Sequence, residues 1–124
     1  IGLVIFCIGC ESTTSPTLSG TYMATVLGLQ QEATFEGDTV TQYNKIDGKA
    51  IFEYYLTNTE IEYVKTGIIG KEPVFQPKPP EPLDPSEAVT IWLKNVTKDS
   101  WSPYTFKFFE EHNAIMIDGI SYYK

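Results

Sequence analysis

The sequence predicts an all-β fold, an antiparallel up-and-down meander of about eight strands that closes into a small barrel. Apolar and polar residues alternate with period 2 in segment after segment from residue 19 onward. Short connections such as Gly37-Asp38 and Asp118-Gly119 join these segments, and short connections require antiparallel neighbours. No window of useful length repeats at the helical spacing. Closure of the sheet would also remove its exposed edges.

The predicted strands follow one another along the chain at residues 21–27, 33–36, 39–43, 50–56, 61–66, 88–96, 104–110, 114–117 and 120–123. Gly37-Asp38 is the predicted turn of a first hairpin, and Thr57-Asn58-Thr59-Glu60 is that of a second hairpin, between 50–56 and 61–66. The best helical candidate is a single turn beginning at Pro85.

Residues 70–87 interrupt this spacing, because six of the eight prolines fall there. Proline lacks a backbone donor and fixes φ, so the segment is not expected to pair as a central strand. We expect an extended, polyproline-like loop inserted into the barrel domain of residues 19–124. Such a loop could dock into an aromatic groove of a partner, or it could be a stiff surface insertion without a role.

The amino-acid composition excludes some classes of function for this chain. The 124 residues, 14.0 kDa in mass, suffice for one domain. Nine Lys, no Arg and sixteen Asp and Glu give a net charge of −7. Nucleic-acid binding depends on clustered Lys and Arg, so we expect no nucleic-acid partner. The same charge balance disfavours electrostatic docking on anionic lipid.

The first ten residues predict an export signal. Residues 1–9 are uncharged and apolar, Cys10 follows at once, and residues 11–18 are rich in Ser and Thr. The apolar run is shorter than the roughly 20 residues of a membrane span but matches the hydrophobic region of a secretory signal. We therefore expect residues 1–9 to be a truncated signal peptide and residues 10–18 a lipidated cysteine with a flexible tether.

Ile8-Gly9-Cys10 resembles the end of the lipobox of prokaryotic lipoproteins, in which a Cys is acylated, with palmitate among its acyl chains, before cleavage. Cys7 stands where the pattern usually has Leu. The resemblance implies a membrane anchor through lipid on Cys10 and an extracytoplasmic location in the cell envelope. Two alternatives are a buried strand over residues 1–9 with Cys10 as a core thiol, and a Cys7–Cys10 disulfide.

The sequence offers little material for catalysis. His112 is the single histidine and lies in a polar turn, where a solvated side chain is expected. Zinc-ligand spacing, a glycine-rich phosphate loop and the Asp-x-Asp-x-Asp-Gly calcium pattern are absent. We therefore expect no enzymatic activity, no metal and no cofactor.

The hypothesis that this chain binds a ligand or a partner rests on its seventeen aromatic residues, which are eight Tyr, seven Phe and two Trp. Those at alternate strand positions are expected in the core, namely Tyr22, Phe35, Phe52, Tyr54, Tyr63, Phe106, Phe108 and Tyr122. Those of opposite parity or in loops would form an exposed patch if they share a surface, namely Tyr55, Trp92, Trp101, Phe109 and Tyr123. Members of the first group would line a cavity in a wide barrel. The candidate ligand-binding residues are Tyr54, Tyr63, Trp92, Trp101 and Phe108.

The chain from Leu18 to Lys124 resembles the small lipocalin-like β-barrel domains of prokaryotic lipoproteins. Gly20-Thr21-Tyr22 is similar to the Gly-x-Trp that opens lipocalin barrels, and Asp118-Gly119-Ile120-Ser121-Tyr122 has the Asp-Gly-x-x-Tyr common near the end of such domains. Tyr replaces the usual Trp, and the Arg that packs over that Trp has no counterpart.

The resemblance implies a non-enzymatic module that binds a small apolar ligand in or at the mouth of the barrel. The alternative is an interaction or inhibitor lipoprotein whose acidic surface meets a cationic protein. A purely structural role in the envelope is the third hypothesis.

Overall fold

The computed structural model describes residues 18–124 and has ten β-strands. They are β1 Gly20–Val26, β2 Leu29–Glu36, β3 Thr39–Asn44, β4 Gly48–Thr57, β5 Tyr63–Thr66, β6 Gly70–Pro73, β7 Thr90–Asn95, β8 Ser102–Phe109, β9 Ala114–Ile117 and β10 Ile120–Tyr123. Two 3-10 turns, Pro85–Glu87 and Glu110–His112, complete the regular structure of this part of the chain. In residues 18–124, no helix has the length and apolar character that crossing a membrane requires.

Eight strands form a closed antiparallel barrel in the order β1-β10-β9-β8-β7-β4-β3-β2. Strands that are neighbours in the chain are neighbours in the barrel, with one long connection between β4 and β7. The pairing of β1 with β10, where Met23 lies opposite Tyr123, closes the ring. The predicted all-β, eight-stranded meander barrel is therefore confirmed.

The predicted hairpin between residues 50–56 and 61–66 is wrong. Strand β4 pairs with β7 instead, from Phe52 opposite Asn95 to Thr57 opposite Thr90. Strand β5 pairs only with β6, in a two-stranded hairpin outside the barrel. The physical reason is that β7 contributes buried interior side chains, whereas all four side chains of β5 are exposed.

The segment between β4 and β7, residues 58–89, is here called the insertion. Its residues 70–73, predicted to belong to an extended loop, form strand β6, which tolerates Pro73 at its end because the hairpin has free edges. Residues 74–84, here called the Pro-rich loop, have no regular secondary structure. The predicted single turn at Pro85 is present, with the side chain of Asp84 as its N-cap.

Side chains fill the interior of the barrel. The ring of Phe35 packs edge to face against Tyr22, at 5.7 Å between centroids, and against Tyr54, at 5.2 Å. Aliphatic side chains surround these rings, and Ile91 and Ile115 are fully buried. The buried cluster consists of Leu18, Tyr22, Ala24, Ala33, Phe35, Val40, Tyr54, Leu56, Ala88, Ile91, Leu93, Phe106, Ile115, Ile117 and Tyr122.

The antiparallel order gives the barrel two different ends. The Gly37-Asp38 turn, the insertion and Leu18, the first described residue, share one end, here called the insertion end. The far end carries tight turns, including Leu27-Gly28 and Asp118-Gly119. Both residues of each of these two turns have positive φ, as two-residue hairpin turns of type I′ require. These two connections of the far end are therefore short, whereas the insertion end carries the 32 residues of the insertion.

Truncation of the Phe35 side chain tests the packing of the core. We expect Phe35→Ala to lower the free energy of unfolding by about 3–5 kcal/mol, because it leaves a cavity between two aromatic rings. Urea denaturation followed by far-ultraviolet dichroism measures the change. The control Tyr123→Ala removes an aromatic ring that is more than half exposed and should cost far less. Equal losses in the two variants would contradict a core centred on Phe35.

Candidate functional site: pockets beneath the Pro-rich loop

A cavity of about 300 Å³, here called the mouth pocket, lies at the insertion end between the barrel and the Pro-rich loop. Its barrel side is formed by Leu18, Tyr54, Tyr55, Leu56 and the Gly37-Asp38 turn, and its loop side by Lys78, Pro79, Pro80, Glu81, Pro82, Leu83 and Pro85. The lining is mostly apolar, with a few charged groups. Ligand pockets commonly combine these two features.

A second cavity of about 190 Å³, here called the side pocket, adjoins the first. Asp38, Tyr54, Tyr55 and Lys78 line both cavities. The remaining lining comes from Glu53, Phe75, Pro77 and Trp101. The two pockets therefore adjoin beneath the loop, and Lys78 contributes to the wall of each.

Proline explains the apolar character of the loop wall. Because proline has no backbone N–H, prolines 77, 79, 80 and 82 remove four donors from this wall. They also restrict φ along the loop, which limits the conformations that it can adopt. At the end of the loop, Leu83 packs against the barrel core and Pro85 is buried. The wall is thus fixed to the barrel at its C-terminal side.

Gln76 fixes the other side of the loop to the barrel. Its side-chain oxygen accepts hydrogen bonds from the Thr57 hydroxyl at 2.8 Å and from the Trp92 indole N–H at 3.4 Å. Its side-chain nitrogen donates to the backbone oxygen of Glu60 at 2.9 Å, and its backbone oxygen accepts from the Tyr55 hydroxyl at 2.6 Å. One residue therefore joins the Pro-rich loop to β4, to β7 and to the start of the insertion.

Four aromatic side chains pack together on the outer face of the sheet beside Gln76. The ring of Tyr55 stacks on Trp92 at 6.2 Å and lies 4.7 Å from Trp101. Phe75, from the loop, meets Trp92 edge to face at 5.5 Å. Trp92 is only 1% exposed although its position alternates with the interior residues of β7. The insertion thus builds a second buried layer over β4 and β7.

The five aromatic residues of opposite parity or in loops therefore do not share one exposed surface. Tyr55 and Trp92 are buried under the insertion, while Trp101 is partly covered beside them. Tyr123 lies on β10, which has no place in this cluster, and is 58% exposed. Phe109, at the end of β8, is half-buried. Opposite parity predicted which side chains leave the interior, but it did not predict that the insertion covers two of them.

The five candidate ligand-binding residues are distributed over four places. Tyr54 lines both pockets, and Trp101 lines the side pocket. Trp92 is buried beneath Gln76, and Phe108 packs half-buried against the core. Tyr63 lies on the exposed β5–β6 hairpin. The structure thus brings Tyr54 and Trp101 together and leaves the other three outside the lining of the pockets.

Most of the residues that line the pockets could not be predicted from the sequence. Leu18, Asp38 and Lys78 carry no local signal of a shared site, because only the fold brings them together. Gln76 is one polar residue between Phe75 and Pro77, and nothing in its neighbourhood distinguishes it. The concentration of prolines was the one signal that pointed to this region.

Two tyrosine hydroxyls beside the pockets stay protonated at physiological pH. Burial raises the pKa of Tyr54 to about 12, and the negative charge of Asp38 acts in the same direction. Burial also raises the pKa of Tyr55 to about 12. Both phenols therefore remain neutral hydrogen-bond donors, and Tyr54 donates to the backbone oxygen of Gly37 at 3.4 Å.

Acidic and histidine side chains are dispersed rather than grouped. Within residues 18–124, no three of His, Cys, Asp and Glu lie close enough to hold a metal ion together. His112 is exposed in the 3-10 turn that follows β8. The lipidation candidate Cys10 and the predicted tether up to residue 17 lie outside the described residues.

Comparisons of the chain with models of known protein families, with curated proteins and with solved structures gave no significant match.

Removal of the Gln76 side chain should loosen the insertion. We expect Gln76→Ala to lower the free energy of unfolding by about 1–3 kcal/mol, because the buried Thr57 hydroxyl and Trp92 N–H lose their acceptor. The substitution should also accelerate hydrogen exchange in residues 74–84 more than it does in the barrel strands. The control Gln30→Ala alters an exposed glutamine on β2 and should leave both measurements unchanged. If hydrogen exchange in the Pro-rich loop of Gln76→Ala equals that of the parent chain, Gln76 does not fix the loop to the barrel.

Proposed function

We propose that this protein is a non-enzymatic binding module, a lipocalin-like barrel that holds a small apolar ligand at its mouth. The observation that carries the proposal is the mouth pocket, about 300 Å³ in volume and walled by prolines and leucines. Its size lies at the lower end of the range for ligand sites. The apolar wall would supply affinity through burial of ligand surface.

The filled core supports a site at the mouth rather than inside the barrel. Phe35, Ile91 and Ile115 occupy the interior and are 2% exposed or less. A ligand would therefore lie between the loop and the rim. Lys78 and Asp38, which line both pockets, are placed to contact a polar group at one end of the ligand. The expected ligand is thus apolar over most of its length.

We further propose that lipid on Cys10 anchors the module to the extracytoplasmic face of a membrane in the cell envelope. The support is the sequence pattern Ile8-Gly9-Cys10 and its position eight residues before Leu18. Eight residues span at most about 29 Å when fully extended. Since Leu18 lines the mouth pocket, the anchor would hold the insertion end near the membrane.

The acidic surface favours a second candidate, an interaction or inhibitor module that binds a cationic protein. Glu36 precedes the β2–β3 turn and Asp38 lies in it, and Glu110 and Glu111 follow β8 at the same end of the barrel. All four are exposed. Negative charge on opposite sides of this end would attract a basic partner and would make the association sensitive to salt.

An uncharged fluorescent probe tests the ligand proposal. We expect N-phenyl-1-naphthylamine to bind with enhanced fluorescence that is independent of salt, because burial of apolar surface drives the binding. Leu83→Trp, which places a larger side chain in the lining of the mouth pocket, should weaken the affinity about tenfold or more. The control Leu27→Trp makes the same substitution at the fully exposed far end and should not alter the affinity.

Absence of probe binding to the parent chain, or equal affinity in both variants, would refute a site in the mouth pocket. Dichroism of the variants verifies that each still folds. If the probe fails but a basic protein such as lysozyme binds and is released by salt, the second candidate replaces the first.

Mass spectrometry of the chain expressed in its native envelope tests the anchor. We expect residues 1–9 to be absent and the mass of Cys10 to be increased by acyl chains, because Gly9-Cys10 matches the acylation and cleavage site. Cys10→Ser should abolish the added mass and release the protein from the membrane fraction. An unmodified Cys10 preceded by the intact leader would refute lipidation and leave the ligand proposal standing.

A further inference from the structure

The tip of the β5–β6 hairpin presents two isoleucines to solvent. Ile68 and Ile69 are 97% and 96% exposed. The backbone of the tip depends on glycine at both sides, since Gly67 has φ +75° and a Cβ on Gly70 would lie 2.5 Å from the Thr66 backbone oxygen. The sequence thus combines two glycines that shape the turn with two large apolar side chains that contact almost nothing within the described chain.

One face of the hairpin is basic and aromatic. Lys65 and Lys71 lie directly opposite each other in the pairing of β5 with β6, and Tyr63 shares their face by strand parity. The Lys71 ammonium lies 4.5 Å from the centre of the Tyr63 ring. Glu62 and Glu72 have the opposite parity and belong to the other face. Like charges directly opposite each other are unfavourable, and an anion bound between them would relieve their repulsion.

We propose that this hairpin is a membrane-docking element whose tip inserts into the interfacial region of a bilayer containing anionic lipid. Ile68 and Ile69 would enter the boundary of the acyl chains, since withdrawal of exposed apolar area from water is favourable. Tyr63 would lie at the level of the headgroups, where tyrosine is enriched. Lys65 and Lys71 would contact lipid phosphates at the ends of their flexible stems.

The geometry of the hairpin separates it from the acidic surface of the barrel. Four residues in each strand carry the tip about 13 Å from the base of the hairpin, farther than the screening length of about 8 Å at physiological salt. Lys65 and Lys71 lie about 7 Å from the base of the hairpin, and their flexible stems let the ammonium groups reach toward phosphates near the tip despite the net charge of −7. Apolar insertion supplies the main driving force, and the lysines add selectivity for anionic lipid.

The position of the hairpin agrees with the proposed tether. The insertion, to which the hairpin belongs, starts at the same end of the barrel as Leu18. Lipid on Cys10 and the hairpin would therefore contact the same membrane. The hairpin would add a second contact to the one that lipid on Cys10 supplies. Membrane docking by the hairpin is independent of the proposed ligand binding. It is also independent of acylation, and the test therefore uses a chain without Cys10.

Vesicle co-sedimentation measures the docking. The full chain carrying Cys10→Ser is mixed with vesicles of phosphatidylcholine alone or of equal parts phosphatidylcholine and phosphatidylglycerol. We expect the further change I68S/I69S to weaken partitioning about tenfold or more on the mixed vesicles. K65Q/K71Q should weaken it about tenfold on the mixed vesicles and little on phosphatidylcholine alone. L27S, which removes an equally exposed apolar side chain at the far end, should have no effect.

A site-specific probe separates the hairpin from the apolar leader, which all these variants share. An environment-sensitive fluorophore is attached to Ile69→Cys or to Leu27→Cys, each in a chain carrying Cys7→Ser and Cys10→Ser. We expect a blue shift on vesicles for the label at position 69 and none for the label at position 27. No shift at position 69, or equal shifts at both, overturns the proposal even if the chain sediments with lipid. Because neither measurement uses the naphthylamine probe, failure here leaves the mouth pocket unaffected.

Discussion

The pairing of β4 with β7 is the constraint on which the rest of the molecule depends. It continues the sheet across the longest connection in the described chain, from Thr57 opposite Thr90 to Phe52 opposite Asn95. The intervening residues 58–89 must leave the barrel and return to the same end. Their return packs Phe75 on Trp92 and brings Gln76 to Thr57, and these contacts place the Pro-rich loop over the rim. The mouth pocket is the space that remains between them.

Most of the barrel could be predicted from the sequence, because period-2 alternation identifies strands and short turns identify antiparallel neighbours. Strand partners across long connections could not be predicted in this way. Residues 61–66 alternate well enough for a strand, but alternation shows which residues share a face and says nothing of what covers it. The Leu27-Gly28 turn was also not predicted, since leucine rarely adopts the positive φ of 53° that it has there.

The candidate site was predicted only in part, for a related reason. Tyr54 and Trp101 were identified as aromatic residues and line the pockets, whereas Leu18, Asp38 and Lys78 become neighbours only through the closed sheet and the folded loop. Proline content pointed to the right segment without indicating the surface against which it packs. Tyr63 shows the converse, since its aromatic character was noticed but the β5–β6 hairpin carries it away from the core. Residue type predicted chemistry better than location.

The compact turns of the far end have a practical consequence. Leu27-Gly28 and Asp118-Gly119 lie opposite the insertion and take no part in its contacts. An epitope or a fluorescent domain grafted there would leave the loop, the pockets and the hairpin unobstructed, since surface turns tolerate insertions well. The barrel can therefore serve as a scaffold with one end open to modification.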